Sequence, residues 1–205
     1  MRAHEEILTK EQRILLPLVS AFKKDFFLVG GTAIALHLGH RRSIDFDLFS
    51  RKSFDNTKIR SKVSRYGKIQ QTYINQEGEF TCLVAGVKCT FFHFDYDIKT
   101  PFKFEANVHL PNLLTLGAMK AFALGHRSKW KDYVDLYFLL KDHFTVEEIS
   151  KKAKVLFGGE FNQRIFREAL GYFDDINYSE KVIFMPGYEV SDAVIKKELI
   201  TLSVQ

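Results

Sequence analysis

Features that would mark a secreted or membrane-bound protein are scarce in this chain of 205 residues. Its two cysteines, Cys82 and Cys89, are too few for a disulfide framework, so we expect reduced thiols that could neighbour each other across a hairpin. The N-terminus lacks the apolar segment of a secretion signal, and the longest mostly apolar stretch, residues 26–39, is too short to span a bilayer. We therefore expect a soluble, cytoplasmic protein with no membrane partner.

A strong excess of one charge sign is also lacking, because the chain has 30 Lys and Arg residues and 25 Asp and Glu residues. The resulting net charge of +5 is a mild excess that favours anionic partners without identifying one. What the chain does contain is apolar material, including 20 phenylalanines. This is enough for one compact domain, or for a domain with a smaller helical lobe.

The apolar pattern divides the chain into a mixed first part and a helical second part. A capping box at Thr9-x-x-Gln12 predicts an early helix, and a second helix is expected after Ser53 or Asp55. Strands are predicted over residues 26–29, 43–49, 68–74, 79–84 and 87–94. Later helices are predicted over residues 111–124, 130–141, 146–157, 160–171 and 192–202. The predicted fold class is α/β (α+β), a small mixed sheet flanked by helices, with a core over 1–105 and a C-terminal helical region over 106–205.

Two carboxylates lie on one predicted strand. From Ser43 to Phe49 apolar and polar residues alternate, which places Asp45 and Asp47 on the same face. Their Cα atoms should lie about 7 Å apart, so the side chains can converge on a hard cation such as Mg²⁺ (or Mn²⁺). Such an ion can stabilise the oxygens of an in-line displacement at phosphorus.

A glycine pair precedes this strand. Gly30, Gly31 and Thr32 lie between a predicted strand and the helix predicted over residues 32–38. Glycines at such a junction let backbone N–H groups approach phosphate oxygens, and a helix N-terminus favours negative charge. A lone Asp-x-Asp is usually a solvated strand face and a lone Gly-Gly is usually a turn, but their order here favours a nucleotide site.

These residues resemble the first motif of the polymerase-beta-like nucleotidyltransferase superfamily. More narrowly, residues 29–48 resemble the AbiEii-type nucleotidyltransferase toxins of bacterial abortive-infection and toxin–antitoxin systems. A second match lies further along, where Lys120 is followed by Arg127 and by Lys131-Asp132-x-x-Asp135. The resemblance implies the nucleotidyltransferase fold, a nucleoside triphosphate substrate, a hydroxyl acceptor with tRNA as the first candidate, and a cognate antitoxin.

The helical motif has a structural and a functional interpretation. Lys120 lies in an apolar helical stretch, where an ammonium group either reaches solvent or meets an anion. Asp132 and Asp135 lie at a helix start, where carboxylates are favoured in any case, and Lys131 can pair with Asp135. The resemblance instead implies that Lys120 contacts the triphosphate, that Asp132 contacts the nucleotide or acceptor, and that Asp135 fixes Lys120.

A third metal ligand is harder to identify. The superfamily resemblance implies an acidic ligand on a later strand, but residues 87–94 carry Cys89 and Thr90 where one is expected. Asp95 follows and could reach a metal if the strand continues, or it could be an exposed loop residue. One metal held by Asp45 and Asp47 is the alternative to a two-metal site.

Basic side chains offer further contacts. His37, His40, Arg41 and Arg42 precede the acidic pair, and the arginines suit a phosphate or an acidic partner protein. A basic helix face formed by Lys58, Lys62 and Arg65 is either solvated surface or a track for RNA.

The leading hypothesis from the sequence is a metal-dependent nucleotidyltransferase. It would move a nucleotidyl group from a nucleoside triphosphate to a hydroxyl. One alternative is a nucleotide-binding regulatory module that kept the fold and lost the chemistry. Another is transfer to a protein or small-molecule hydroxyl.

Overall fold

The computed structural model describes residues 3–104 and 108–205. The chain divides into an N-terminal unit, Met1–Asn112, and a C-terminal unit, Leu113–Gln205. The boundary predicted between residues 105 and 106 lies outside the described residues and stays a prediction.

The N-terminal unit is built around a five-stranded mixed sheet. Its strands are β1 (Phe27–Val29), β2 (Asp45–Ser50), β3 (Ile69–Gln76), β4 (Glu79–Val84) and β5 (Val87–His93). Their order is β1-β2-β5-β4-β3, with β2 parallel to β5 and the remaining neighbours antiparallel. The predicted α/β class with a small mixed sheet is therefore confirmed.

Three helices of the N-terminal unit pack against this sheet. They are α1 (Lys10–Ala21), α2 (Gly30–Leu38) and α3 (Asn56–Val63). Both hydrogen bonds of the predicted capping box form, since the Gln12 N–H donates to the Thr9 side chain and the Gln12 side chain accepts from the Thr9 N–H. Asp55, rather than Ser53, caps α3.

An aromatic cluster fills one face of the sheet. The Phe91 ring lies 4.7 Å from the Phe22 ring and 5.4 Å from the Phe26 ring, and Phe46 and Leu48 of β2 are buried on the same side as Phe91. Burying these side chains is the main force that fixes the register of β2, because a shift by one residue would turn them outward.

A two-stranded hairpin completes the N-terminal unit. It pairs β6 (Phe102–Phe104) with β7 (Val108–Leu110) in antiparallel register. The sequence did not indicate these strands, because three-residue segments are too short to show an alternating pattern.

The C-terminal unit is helical, as predicted. Its helices are α4 (Leu113–Leu124), α5 (Trp130–Asp142), α6 (Val146–Phe157), α7 (Gln163–Gly171) and α8 (Asp192–Ser203). The capping box of Thr145 and Glu148 opens α6. Within the described part of the chain, we find no helix that is both long and apolar enough to cross a membrane.

The segment between α7 and α8, residues 172–191, runs along α5, and we call it the strap. The Trp130 N–H donates to the carbonyl of Asn177 over 3.1 Å, and the Asn177 N–H donates to the carbonyl of Ser128 over 2.7 Å. Aromatic rings reinforce these bonds, since Phe173 lies 5.4 Å from Tyr133. The strap is therefore attached to the first turn of α5.

Candidate active site

Asp45 and Asp47 lie on one face of β2. The residues between and after them, Phe46 and Leu48, are buried on the opposite face, so the alternation predicted from the sequence is present. The Asp45 side chain is 13% exposed to solvent. The two carboxylates are thus held by a rigid strand while they remain accessible to a ligand.

Gly30 brings the chain backbone directly against Asp47. Its φ is +70°, and a Cβ at this position would overlap the Asp47 carboxylate. Glycine is therefore needed at this position for two reasons, the left-handed backbone and the close approach to the carboxylate. Gly31 is similarly crowded, since a Cβ there would meet the Arg41 guanidinium.

Thr32 supports the acidic strand with its side chain. Its hydroxyl lies 2.9 Å from the Ser43 hydroxyl and 2.5 Å from the Asp45 carbonyl oxygen, and the residue is only 1% exposed. The buried Gln12 side chain also donates to the Asp45 carbonyl, over 3.4 Å. The structure thus gives the Thr32 side chain a positioning role; a phosphate contact by this residue stays a prediction.

Lys88 is a neighbour of the acidic pair that sequence reasoning missed. In the parallel pairing of β2 with β5, Lys88 is opposite Asp45 and Thr90 is opposite Asp47. The Lys88 ammonium nitrogen lies 3.3 Å from an Asp45 carboxylate oxygen. Cys89 pairs with Phe46 and is buried on the other face. Only the register, which pairs two strands that lie far apart in the sequence, identifies Lys88.

Asp95 lies outside this group. β5 ends at His93, and Phe91 and His93 pair with Leu48 and Ser50, the face away from the carboxylates. Over residues 3–104 and 108–205, no cluster of three or more His, Cys, Asp or Glu side chains is arranged to hold a metal ion. Asp95 as a third metal ligand is therefore a prediction that the geometry does not favour.

The acidic pair still fits one divalent cation. Mg²⁺ is commonly held by one or two carboxylates while substrate phosphates and water complete its shell. Asp45 and Asp47 offer such a donor set, beside a glycine junction at the start of α2. Bound there, the cation would supply charge stabilisation for phosphate oxygens.

The arginines and histidines before β2 have structural contacts. Arg41 is 3% exposed and donates to the Arg42 carbonyl over 2.9 Å, while Arg42 itself is exposed. The His37 ring lies 3.0 Å from the Pro111 carbonyl, and its burial lowers the pKa of the imidazole. His40 is fully buried. Arg42 is thus the most accessible of the four to a phosphate or a partner.

A second group of charged residues lies in the C-terminal unit. The Lys120 ammonium nitrogen lies 2.7 Å from Asp132 and 3.0 Å from Asp135, and Arg127 lies 2.9 Å from the other oxygen of Asp132. Lys120 is 5% exposed and both aspartates are fully buried. The structure brings these predicted site residues together as a charge-balanced cluster.

Asp132 is the shared acceptor of this cluster. Burial raises the pKa of its carboxyl, but the charges of Lys120 and Arg127 outweigh that effect and leave the pKa below its ordinary value. Asp132 is therefore ionised at neutral pH, and it orients both cations. Asp135 contacts Lys120 as predicted, whereas Arg127, at 49% exposure, is the cation most open to an anionic ligand.

Lys131, the basic residue of the helical motif, contacts the strap. Lys131 and Lys129 both pair with Glu180, with a distance of 2.7 Å for Lys129. Burial raises the pKa of Glu180, but hydrogen bonds and charge from the two lysines bring it to about 2. Nothing in the sequence near Glu180 indicated this contact.

Comparison with known proteins identifies a family match within the N-terminal unit. Residues 13–81 match the family model described as the AbiEii nucleotidyl transferase toxin of type IV toxin–antitoxin systems. An uncharacterised protein of Aquifex aeolicus is 29% identical over 199 residues, covering 94% of this chain and 96% of that protein.

Two solved structures share the fold. MenT4, a nucleotidyltransferase toxin from Mycobacterium tuberculosis, matches with a TM-score of 0.60 at 12% identity, over 95% of this chain and 82% of its own. JHP933 from Helicobacter pylori matches with a TM-score of 0.51 at 17% identity, over 72% of this chain and 75% of its own. The fold and the resemblance inferred from the sequence are thus confirmed.

Proposed function

We propose that this chain acts as a nucleotidyltransferase of the AbiEii toxin type, whose family model its residues 13–81 match, and that it moves a nucleotidyl group from a nucleoside triphosphate to the hydroxyl of an RNA acceptor, tRNA being the first candidate. The observation that carries the proposal is the placement of Asp45 and Asp47 on one face of β2, with the backbone of Gly30 against Asp47. A cognate antitoxin would bind the same protein in cells.

Each group has a defined part in the proposed reaction. The acceptor oxygen forms a bond to the α-phosphorus, the bond from that phosphorus to the bridging oxygen of the β-phosphate breaks, and pyrophosphate leaves as the acceptor gives up its proton to water. Asp45 and Asp47 hold one divalent cation, Mg²⁺ or Mn²⁺. Gly30, Gly31 and Thr32 bind phosphate through backbone N–H groups at the start of α2.

The charged cluster of the C-terminal unit is proposed to act on the triphosphate and the acceptor. Lys120 and Arg127 carry the positive charge, Asp132 orients both, and Asp135 fixes Lys120. Preorganised charge of this kind lowers the barrier, because it needs no rearrangement when charge develops in the transition state.

Transfer of label from α-³²P nucleoside triphosphates to total RNA tests the proposal. Each of the four triphosphates is supplied in turn, with Mg²⁺ or Mn²⁺ present. Asp45→Asn and Asp47→Asn should each reduce transfer by at least about a hundredfold while circular dichroism stays unchanged. Asp174→Asn, an exposed aspartate of the strap, is the matched control. Transfer at the wild-type rate by either site variant would overturn the metal assignment.

The same assay separates the alternatives. Triphosphate binding by calorimetry without any labelled product would favour a regulatory module. Label that appears in protein or in a small molecule rather than in RNA would identify a different acceptor hydroxyl.

A further inference from the structure

The face of the sheet that carries Asp45 and Asp47 continues onto β5. Residues opposite one another on parallel neighbours point to the same side of the sheet. The side chains next to the acidic pair are therefore Lys88, opposite Asp45, and Thr90, opposite Asp47. An ammonium group and a hydroxyl stand where carboxylates would be needed to hold more than one cation.

The charge of this face limits what it can bind. The charged groups that β2 and β5 place here are two carboxylates and one ammonium group, and the ammonium nitrogen lies 3.3 Å from an Asp45 oxygen. A second divalent cation at Asp45 would approach this fixed positive charge in a site that is only partly exposed to water. Like charges at such distances repel strongly where the local dielectric is low.

Lys88 is held in this position by its surroundings. Its side chain is 33% exposed, and the neighbouring strand residues Val87 and Cys89 are buried, which fixes the direction of the side chain. Thr90 lies 3.4 Å from the Thr81 hydroxyl on β4, so the next position on this face is also a neutral group. Neither β5 position supplies a negative charge.

We propose that Lys88 is a positioning residue that restricts the acidic pair to one divalent cation and provides a fixed positive charge in place of a second. This proposal rests on the proposed function, because it assumes that Asp45 and Asp47 hold a metal. It adds that the metal count is set by a lysine on the adjacent strand, and that Lys88 keeps Asp45 oriented before a metal arrives.

Binding of Mn²⁺ to the full chain tests this without reference to activity. Electron paramagnetic resonance of the free aqueous ion gives the number of bound ions and their affinity. The wild-type protein should bind one Mn²⁺ ion at the acidic pair. Lys88→Gln should tighten that binding by about tenfold, since one neighbouring charge commonly shifts an ionic equilibrium by that factor or more. Lys88→Glu should add a second Mn²⁺ ion.

Lys58→Gln is the matched control, because Lys58 is an exposed lysine of the same unit and its removal changes the net charge equally. Its Mn²⁺ affinity should stay within about twofold of the wild type, as expected for a distant screened charge. Circular dichroism of each variant confirms that the sheet is intact.

The outcomes separate this proposal from the proposed function. Mn²⁺ binding that is lost in Asp45→Asn but unchanged in Lys88→Gln and Lys88→Glu would overturn the role of Lys88 and leave the metal site standing. Binding that is equally strong in Asp45→Asn would overturn the metal site itself and the Lys88 proposal with it.

Discussion

At Gly30, backbone conformation and side-chain chemistry depend on each other. The left-handed φ of +70° carries the chain from β1 into α2, and the missing side chain leaves room for the Asp47 carboxylate. A residue with a Cβ would have to change the backbone or displace the carboxylate. The glycine pair is thus part of the geometry of the acidic site as well as a turn.

Gly30→Ala should destabilise the N-terminal unit by at least about 2 kcal/mol, because the positive φ is strained for alanine and the Cβ overlaps Asp47. Urea unfolding followed by circular dichroism measures the loss. Gly159→Ala is the control, since a Cβ at Gly159 has no neighbouring atom within 4 Å and its change should stay within about 0.5 kcal/mol. Equal stability of the two variants would contradict the close approach at Gly30.

Lys120 is the central cation of the buried cluster. Lys120→Met should destabilise the protein by about 3–5 kcal/mol, because it leaves Asp132 and Asp135 buried with less compensation. The free energy of unfolding from urea titration gives the value. Adding Asp132→Asn to Lys120→Met should recover part of the loss, since one uncompensated charge is then removed.

Lys197→Met controls for the substitution itself, because Lys197 is exposed on α8 and should change stability by less than about 0.5 kcal/mol. A loss of under about 1 kcal/mol for Lys120→Met would mean that the cluster is more hydrated than its burial indicates.

Single residues show where prediction from the sequence ends. Asp45 and Asp47 could be placed on one face because alternation is a local pattern. Lys88 and Gln12 could not be found, since their contacts with Asp45 depend on strand register and helix packing between distant parts of the chain. The contacts of the Thr32 hydroxyl with Ser43 and the Asp45 carbonyl also depend on packing between elements, and phosphate binding by the Thr32 backbone N–H stays a prediction.

Among the elements, the strap is joined to the start of α5 by charged contacts. Glu180 pairs with Lys129 and Lys131, and these lysines bring the pKa of its carboxyl to about 2 despite its burial. A carboxyl with a depressed pKa in the folded state contributes stability above its unfolded pKa, and this is lost as the pH falls towards the folded value.

Glu180→Gln should therefore lower the free energy of unfolding at pH 6 and have little effect near pH 2. The difference between variant and wild type should shrink as the pH falls from about 4.5, the ordinary value for a Glu carboxyl, to about 2. Urea unfolding at a series of pH values measures this difference. Glu198→Gln, on the exposed side of α8, should show no comparable pH-dependent difference. A constant gap across the series would contradict ionic pairing by Glu180.

The hairpin of β4 and β5 places two thiols side by side. Cys82 and Cys89 are register partners and both are buried as free cysteines, which confirms the neighbouring position predicted from the sequence. Burial raises the pKa of Cys82 to about 11 and raises that of Cys89 well above its usual value. Few thiolates are present at neutral pH, and they are shielded from solvent.

The folded protein should therefore react with Ellman's reagent at least about a hundredfold more slowly than free cysteine, whereas two thiols should react promptly in denaturant. The absorbance change with time gives both rates. Prompt reaction of one thiol in the folded state would contradict the burial of this hairpin.

Elements with strong local signals were predictable and short ones were not. The helix α6 was predicted with its observed bounds because a capping box opens it and an apolar stripe follows. The hairpin of β6 and β7 and the path of the strap were missed, since tertiary contacts rather than periodicity define them. Prediction of α7 began at residue 160, but Asn162 is its N-cap and the helix starts at Gln163.

For the whole molecule, a triphosphate that binds only the folded state must raise stability by mass action. A ligand at a hundred times its dissociation constant contributes about 2.7 kcal/mol. In a chain of 205 residues, this corresponds to a rise in Tm of about 5–10 °C.

Thermal unfolding with and without a nucleoside triphosphate and Mg²⁺ should show this rise in the wild type. Asp45→Asn should reduce it to less than about 2 °C, because the carboxylate that holds the cation is gone. A full rise in the Asp45→Asn variant would place triphosphate binding outside the acidic pair. Inorganic sulfate at the same ionic strength controls for nonspecific anion effects.

The chain has one tryptophan, and its position gives the molecule an internal optical reporter. Trp130 opens α5, its ring lies 5.4 Å from Tyr178 of the strap, and the Lys196 ammonium group lies 5.8 Å from it. Its emission therefore comes from the C-terminal unit, at the point where the strap is attached. Loosening of the strap would shift this emission, whereas the N-terminal unit has no tryptophan and contributes no tryptophan fluorescence. The C-terminal unit can thus be followed by itself in an unlabelled sample.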